Sequence, residues 1–308
     1  MSGVVLLAGP TCCGKTELAI ELAERFDAEI VGADSRQIYR GMPIGTAAPT
    51  AQQRARVPHH LIAILEPRER YSAARFVADA LTAIEAIHTR GKRAIVVGGT
   101  GFYLRALAGD VALSPAYDEA LRARLAREAR IHPPEVLHEW LASRAPARAG
   151  ALPPTDRYRV ARALEIALAE PEKRRADIVT RNSLRSAALP FMKIALDVDA
   201  TLIEARIAVR VDEMLAAGFV AEAERIGAEA VAADAVGYRQ ASAYGAGWLS
   251  KQELRAGLIR ATRRYGRRQM TWLRSERDVC WAKPQNAANA VIDVLGWGER
   301  RRMASGTT

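Results

Sequence analysis

Gly9-Pro10-Thr11-Cys12-Cys13-Gly14-Lys15-Thr16 decides the fold. The apolar run Val4-Val5-Leu6-Leu7-Ala8 leads into it, and a helical pattern from Glu17 to Phe26 leads out. Gly-x-x-x-x-Gly-Lys-Thr between a strand and a helix is the arrangement of a phosphate-binding loop. Glycines let the backbone approach a ligand closely, so that several N–H groups converge on phosphate oxygens. The helix N-terminus adds the positive end of its dipole. Lys15 contributes a point charge, and the Thr16 hydroxyl is placed to reach a magnesium ion, the one cofactor the loop suggests. The loop alone does not specify which phosphate compound it holds.

Working outward, Glu29-Ile30-Val31-Gly32-Ala33 reads as a second strand ending at Asp34. Strand, loop, helix, strand begins a βαβ unit, which predicts an α/β fold with a parallel sheet flanked by helices, like that of P-loop nucleoside-triphosphate hydrolases. Ligand chemistry in such sheets sits beyond the carboxyl ends of the strands, where Asp34 lies on the same edge as the loop. Asp34 is therefore a candidate for chemistry, although a helix-capping or turn aspartate fits the position equally. Lys92-Arg93-Ala94-Ile95-Val96-Val97 is a buried strand that finishes in Gly98-Gly99-Thr100-Gly101. A nucleoside-triphosphate hydrolase would carry a magnesium-holding Asp there.

From Ser114-Pro115 the pattern turns helical. Helices are predicted from Asp118 to Arg130, from Pro134 to Ser143, and from Arg157 under an Asp156 cap, with a breaker-rich connection over 145–154. No strand is expected before Met192-Lys193-Ile194-Ala195-Leu196-Asp197. This predicts a sheet domain of residues 1–113 and 191–308 and an all-helical insertion of residues 114–190. Beyond it, helices are expected over Leu202–Ala216, over Val220 to about Ala232, and over Gln252–Leu273. The last carries Arg260, Arg263, Arg264, Arg267, Arg268 and, just beyond, Arg274, interleaved with Tyr265, Gln269 and Trp272. Arginine alternating with aromatics is the composition of a surface that binds and stacks nucleic acid. Residues 304–308 read as a frayed tail.

Composition agrees. A formal charge of +10 over 308 residues favours a polyanionic partner, nucleic acid ahead of a membrane surface. Three cysteines, two of them adjacent, build neither a disulfide framework nor a zinc spacing, which suggests a reducing cytoplasm. No leader is expected ahead of the first strand, and no run reads as apolar enough to span a bilayer.

Together these stretches resemble the tRNA dimethylallyltransferases, or tRNA isopentenyltransferases, of bacterial type. The resemblance rests on the loop at 9–16, Asp34-Ser35-Arg36-Gln37-x-Tyr39, Ile44-Gly45-Thr46 and Gly98-Gly99-Thr100-Gly101-x-Tyr103. It continues in Arg162-Ala163-Leu164-Glu165, Val236-Gly237-Tyr238-Arg239-Gln240 and Arg267-Arg268-Gln269-x-Thr271-Trp272. It implies transfer of the dimethylallyl group of dimethylallyl diphosphate to N6 of the adenine just 3′ of a tRNA anticodon. The loop, Gly9, Pro10, Thr11, Cys12, Cys13, Gly14, Lys15 and Thr16, would hold the donor diphosphate rather than ATP, assisted by magnesium and by Arg210. Asp34 would be the general base. Tyr158, Arg159, Val160, Ala161 and Arg162 would contact tRNA. So would Asp34, Ser35, Arg36, Gln37 and Thr100; Val236, Gly237, Tyr238, Arg239 and Gln240; and Arg267, Arg268, Gln269, Thr271, Trp272 and Arg274. A monomer with no obligate protein partner is expected. The chain departs from the pattern at Cys12-Cys13, Ala48, Ala200, Gly266 and Arg267, which bears on individual contacts. A small-molecule or nucleotide kinase shares the loop and the fold class, but leaves the arginine–aromatic helix unexplained.

Overall fold

The computed structural model describes residues 3–111, 113, 119–169 and 182–298. The chain divides into two units, residues 1–110 with 182–308, and residues 111–181.

In the larger unit, β1 (Val4–Ala8) runs into the phosphate loop and α1 (Lys15–Phe26), followed by β2 (Ala28–Gly32). Two short helices, α2 (Pro43–Thr46) and α3 (Ala51–Arg56), precede the two-residue β3 (His59–His60). Then come α4 (Ala73–Thr89), β4 (Arg93–Gly98) and α5 (Gly101–Ala108). The second unit holds α6 (Glu119–Ile131), α7 (Pro134–Arg144), α8 (Pro146–Gly150) and α9 (Arg157–Ala169). The chain returns as β5 (Phe191–Leu196), α10 (Ala200–Ala216), α11 (Phe219–Ile226), α12 (Tyr238–Gly245), α13 (Lys251–Arg274), β6 (Val279–Ala282) and α14 (Ala287–Leu295).

Six parallel strands lie in the order β3-β2-β4-β1-β5-β6. β1 is apolar at every position and fully buried, as a central strand covered by helices on both faces must be. Leu18, Ile20, Leu22 and Phe26 of α1 pack with Val5, Leu7, Ile30 and Ile194 into the core on one face. The βαβ arrangement carries the first turn of α1 and the ends of β2 and β4 to one edge. There the backbones of β2 and β4 nearly touch: Ala33 N donates to Val97 O at 2.8 Å, and a Cβ at Gly98 would fall on the Ala33 carbonyl. Gly98→Ala should therefore cost about 1–3 kcal/mol of stability, because the obstacle is backbone. Thermal melting checks this, and an unchanged midpoint would contradict it.

The helical unit has its own core of Leu125, Leu137, Leu141, Val160 and Leu164. Its α8 occupies the stretch expected to be a plain connection; Pro146 at its first position starts it. Residues 182–190 group with the sheet rather than with the helices: Leu184 is fully buried and its N–H donates to Leu107 O at 2.8 Å. The helix expected to run to about Ala232 stops at Ile226, because Gly227 turns the chain at φ 78°. A 3-10 turn follows at Val231–Asp234. β6 and α14 are additional to the elements predicted from sequence. The expected tail at 304–308 lies outside the described residues. Among the described residues no helix is long and apolar enough to cross a membrane.

Candidate active site

The loop is shaped by two left-handed residues, Cys12 at φ 63° and Gly14 at φ 92°. Gly14 precedes α1 without a side-chain cap, so the first-turn N–H groups of α1 remain available to an anion. Lys15 folds back over the loop, its Nζ donating to Pro10 O at 2.6 Å. Cys13 points inward and is 1% exposed; its Sγ lies 2.7 Å from where a Cβ at Gly9 would be. The second thiol thus fills space beneath the loop, whereas Cys12 is only half-buried.

Three long side chains brace the loop from distant sequence. On α13, Gln269 is 7% exposed; its Oε1 accepts from Thr11 N at 2.8 Å and its Nε2 donates to Gly99 O at 3.0 Å. On α10, Arg210 Nη1 donates to Thr11 Oγ1 at 2.9 Å, and Arg206, one turn earlier, reaches Cys12 O at 3.4 Å. Arg210 Nε is buried without a hydrogen-bond partner among the described residues. A buried guanidinium donor left open beside a phosphate loop is the chemistry that an anionic ligand completes.

Asp34 follows β2. Its Oδ1 accepts from Arg36 N at 2.8 Å and Gln37 N at 3.3 Å, the bonds of a local turn. The turn reading of Asp34 is thus correct for one oxygen. Among the described residues no donor reaches Oδ2. Ser35 N donates to Thr100 Oγ1 at 3.0 Å, tying this turn to the end of β4. Gln37 Nε2 donates to Thr46 O and Ala47 O, each at 3.1 Å. Burial first, and the Asp34 carboxylate second, hold the Tyr265 phenol above its ordinary range, so it is neutral and can donate.

These groups line one cavity of about 950 Å³, which includes Thr11, Lys15, Thr16, Asp34, Ser35, Gln37, Arg206, Arg210, Val236, Tyr265, Arg268 and Gln269. That volume accommodates a diphosphate together with a planar heterocycle. No cluster of three or more His, Cys, Asp or Glu suited to a metal occurs among the described residues. Thr16 supplies a hard hydroxyl oxygen on the cavity wall, and a small hard cation needs little more when substrate phosphates and water complete its shell.

Several residues expected to meet RNA are placed otherwise. Tyr238 is buried and its hydroxyl donates to Glu222 Oε1 at 2.7 Å. Gly237 is a buried left-handed residue ahead of α12. Val160 sits in the helical core. Both ends of the Gln269 amide are bonded to backbone. Trp272 packs over Gly101 and beneath the Arg105 guanidinium. Within these motifs, the buried members build the scaffold. The exposed members remain available: Tyr158 at 76% exposure, Arg159, Arg239, Arg267, Arg268, Thr271 and Arg274. Ala161, Arg162, Val236, Gln240, Ser35, Arg36 and Thr100 are half-buried; Arg162 Nη1 lies 2.7 Å from Glu165, and Arg36 pairs with Asp234 at 2.9 Å. The sequence pattern marks Tyr265 only as one aromatic of the arginine-rich helix, not as a cavity residue, and does not mark Asp234 or Glu222, because two acids among many carry no local signal.

A family model described as IPP transferase matches residues 37–276, and one described as isopentenyl transferase matches residues 2–60. A tRNA dimethylallyltransferase of Geobacter sulfurreducens is 40% identical over 285 residues, covering 91% of each chain. One from Anaeromyxobacter dehalogenans is 44% identical, covering 91% of this chain and 95% of its own. The crystal structure of a full-length tRNA isopentenylpyrophosphate transferase from Bacillus halodurans superposes with a TM-score of 0.70 at 32% identity, over 96% of this chain and 97% of that one.

Proposed function

The chain belongs to the IPP transferase family, whose relatives are tRNA-prenylating enzymes, and from that premise we propose that it moves the dimethylallyl group of dimethylallyl diphosphate to N6 of the adenine 3′ of a tRNA anticodon. One observation carries this reading: a phosphate loop and a carboxylate with a free oxygen share a single cavity. In that cavity, loop N–H groups, Lys15 and Arg210 would bind the diphosphate. Asp34 would face the acceptor base.

In the proposed step, the bond between C1 of the prenyl group and the diphosphate oxygen breaks, and a bond from C1 to adenine N6 forms. Negative charge grows on the leaving diphosphate, where oriented donors stabilise the transition state more than the ground state. The open Arg210 Nε and the Lys15 ammonium are such donors. The adenine amino group is a poor nucleophile because its lone pair is delocalised into the ring. As it attacks it sheds a proton, which Asp34 Oδ2 accepts. Magnesium, if held by the Thr16 hydroxyl and the diphosphate, would offset leaving-group charge. An adenine within a stacked loop must swing out to reach such a pocket. The exposed arginines of α13 and Tyr158 and Arg159 of α9 would grip the RNA.

The test is transfer of labelled prenyl group from dimethylallyl diphosphate to unmodified tRNA, with ATP as competitor. Label on adenine N6, unaffected by ATP, supports the reading. ATP bound or hydrolysed without transfer would move the protein to the kinase alternative.

A second expected result concerns salt. Among the described residues Arg260, Arg264, Arg268 and Arg274 form no ion pair. If these four meet phosphates of a largely single-stranded loop, log Kd for tRNA should change with log salt at a slope of about 3. Filter binding across a salt series measures it, and a flat response would remove α13 from the RNA surface.

A further inference from the structure

Glu222 is a buried carboxylate, 1% exposed, that the proposed chemistry does not use. Its Oε2 accepts from Ile44 N at 2.9 Å, and its Oε1 accepts from Gly45 N at 2.7 Å and from the Tyr238 hydroxyl at 2.7 Å. Ile44 and Gly45 belong to the single turn of α2, which has no side-chain cap of its own. Glu222 therefore caps that turn from α11, nearly two hundred residues away in sequence. Gly45 is required there, because a Cβ would strike the rings of Phe219 and Tyr238. The capped turn ends at Ala47, in the left-handed region at φ 46°. The carbonyls at that end, Thr46 O and Ala47 O, take the Gln37 Nε2 group at 3.1 Å each. A primary amide has two N–H donors, and both are then used. What Gln37 offers the cavity it lines is the acceptor, Oε1.

We propose that Glu222, backed by Tyr238, is a positioning residue that fixes the Gln37 amide with its oxygen toward the cavity, so that the site selects a nucleobase carrying an exocyclic amino group. An acceptor there binds an amino group and repels a keto oxygen. This rests on the reading that an RNA base enters the cavity. The specificity belongs to Gln37, and Glu222 acts only through the α2 turn.

The experiment compares binding of two anticodon stem-loops, one with adenosine and one with purine riboside, which lacks the amino group, at the target position. Wild type should favour adenosine through two acceptors, Asp34 Oδ2 and Gln37 Oε1, the latter contributing about fivefold, the scale of one neutral hydrogen bond. Glu222→Gln keeps the shape but cannot accept at both oxygens, and should lower the preference by about that factor, leaving the share that Asp34 carries. Its KM for dimethylallyl diphosphate should stay at the wild-type value. Gln37→Ala should lose the preference to the same extent, and the double variant should lose no more than either single one. Tyr238→Phe retains the buried ring, removes one bond to Oε1, and decides the matter if Glu222→Gln does not fold. A folded Glu222→Gln or Tyr238→Phe protein with the full preference, or multiplying losses in the double variant, would overturn the proposal. Failure of the functional reading looks different: wild type then transfers no prenyl group, whatever the variants bind.

Discussion

Asp34→Asn is expected to slow prenyl transfer to tRNA by about 10²–10⁴-fold without disturbing the fold, the range lost when a positioned general base is removed. The substitution separates two duties of one side chain. An asparagine oxygen can still accept from Arg36 N and Gln37 N, so the turn that presents the residue persists. What disappears is the second carboxylate oxygen, the proposed acceptor for the adenine proton. Circular dichroism and the melting midpoint should match wild type, and the affinity for dimethylallyl diphosphate should hold, because the loss is confined to the acceptor. Transfer within about tenfold of wild type would place the base elsewhere in the cavity, with the Asp34 turn purely structural.

Lys15→Ala is expected to cost about 10²–10³-fold in transfer, the scale on which a single preorganised donor contributes to stabilising developing charge. Alanine suits the first turn of α1, and Lys15 spends its one strong bond on Pro10 O within its own loop, so little stability is at stake. Inhibition by inorganic pyrophosphate should weaken in parallel, while affinity for tRNA is retained. That split tells a donor-phosphate site from an RNA-phosphate site. Equal weakening of tRNA and pyrophosphate binding would reassign the loop to the nucleic acid.

The parts of this site that were legible in sequence are those written locally. The loop, its flanking strand and helix, and Asp34 at the end of β2 lie within 34 residues of the N-terminus, and their spacing fixes their placement. The parts that were not legible are side chains reaching across the chain. Gln269 meets Thr11 across 258 positions, and Glu222 meets Ile44 across 178, and no periodicity announces either. The motif strips also mixed two kinds of residue. Tyr238 and Val160 share short sequences with exposed arginines, yet their burial makes them core. β6 went unread because four residues at a sheet edge, only Ala282 of them buried, directly after an arginine-rich helix, make too short a run to stand out.

Gln269 makes α13 a beam with two loads. Its inward amide holds the loop through Thr11 N and the β4 end through Gly99 O, while Arg260, Arg264, Arg267 and Arg274 along the helix are exposed. A polyanion that stiffens the outer face would stiffen the loop behind it, and a diphosphate seated in the loop would steady the surface proposed to meet RNA. Such coupling is reciprocal at equilibrium: the factor by which RNA tightens the donor is the factor by which the donor tightens RNA. Titrating pyrophosphate with and without stem-loop RNA reads that factor directly. On this account the two substrates need not touch to sense each other, because they lean on opposite sides of one helix.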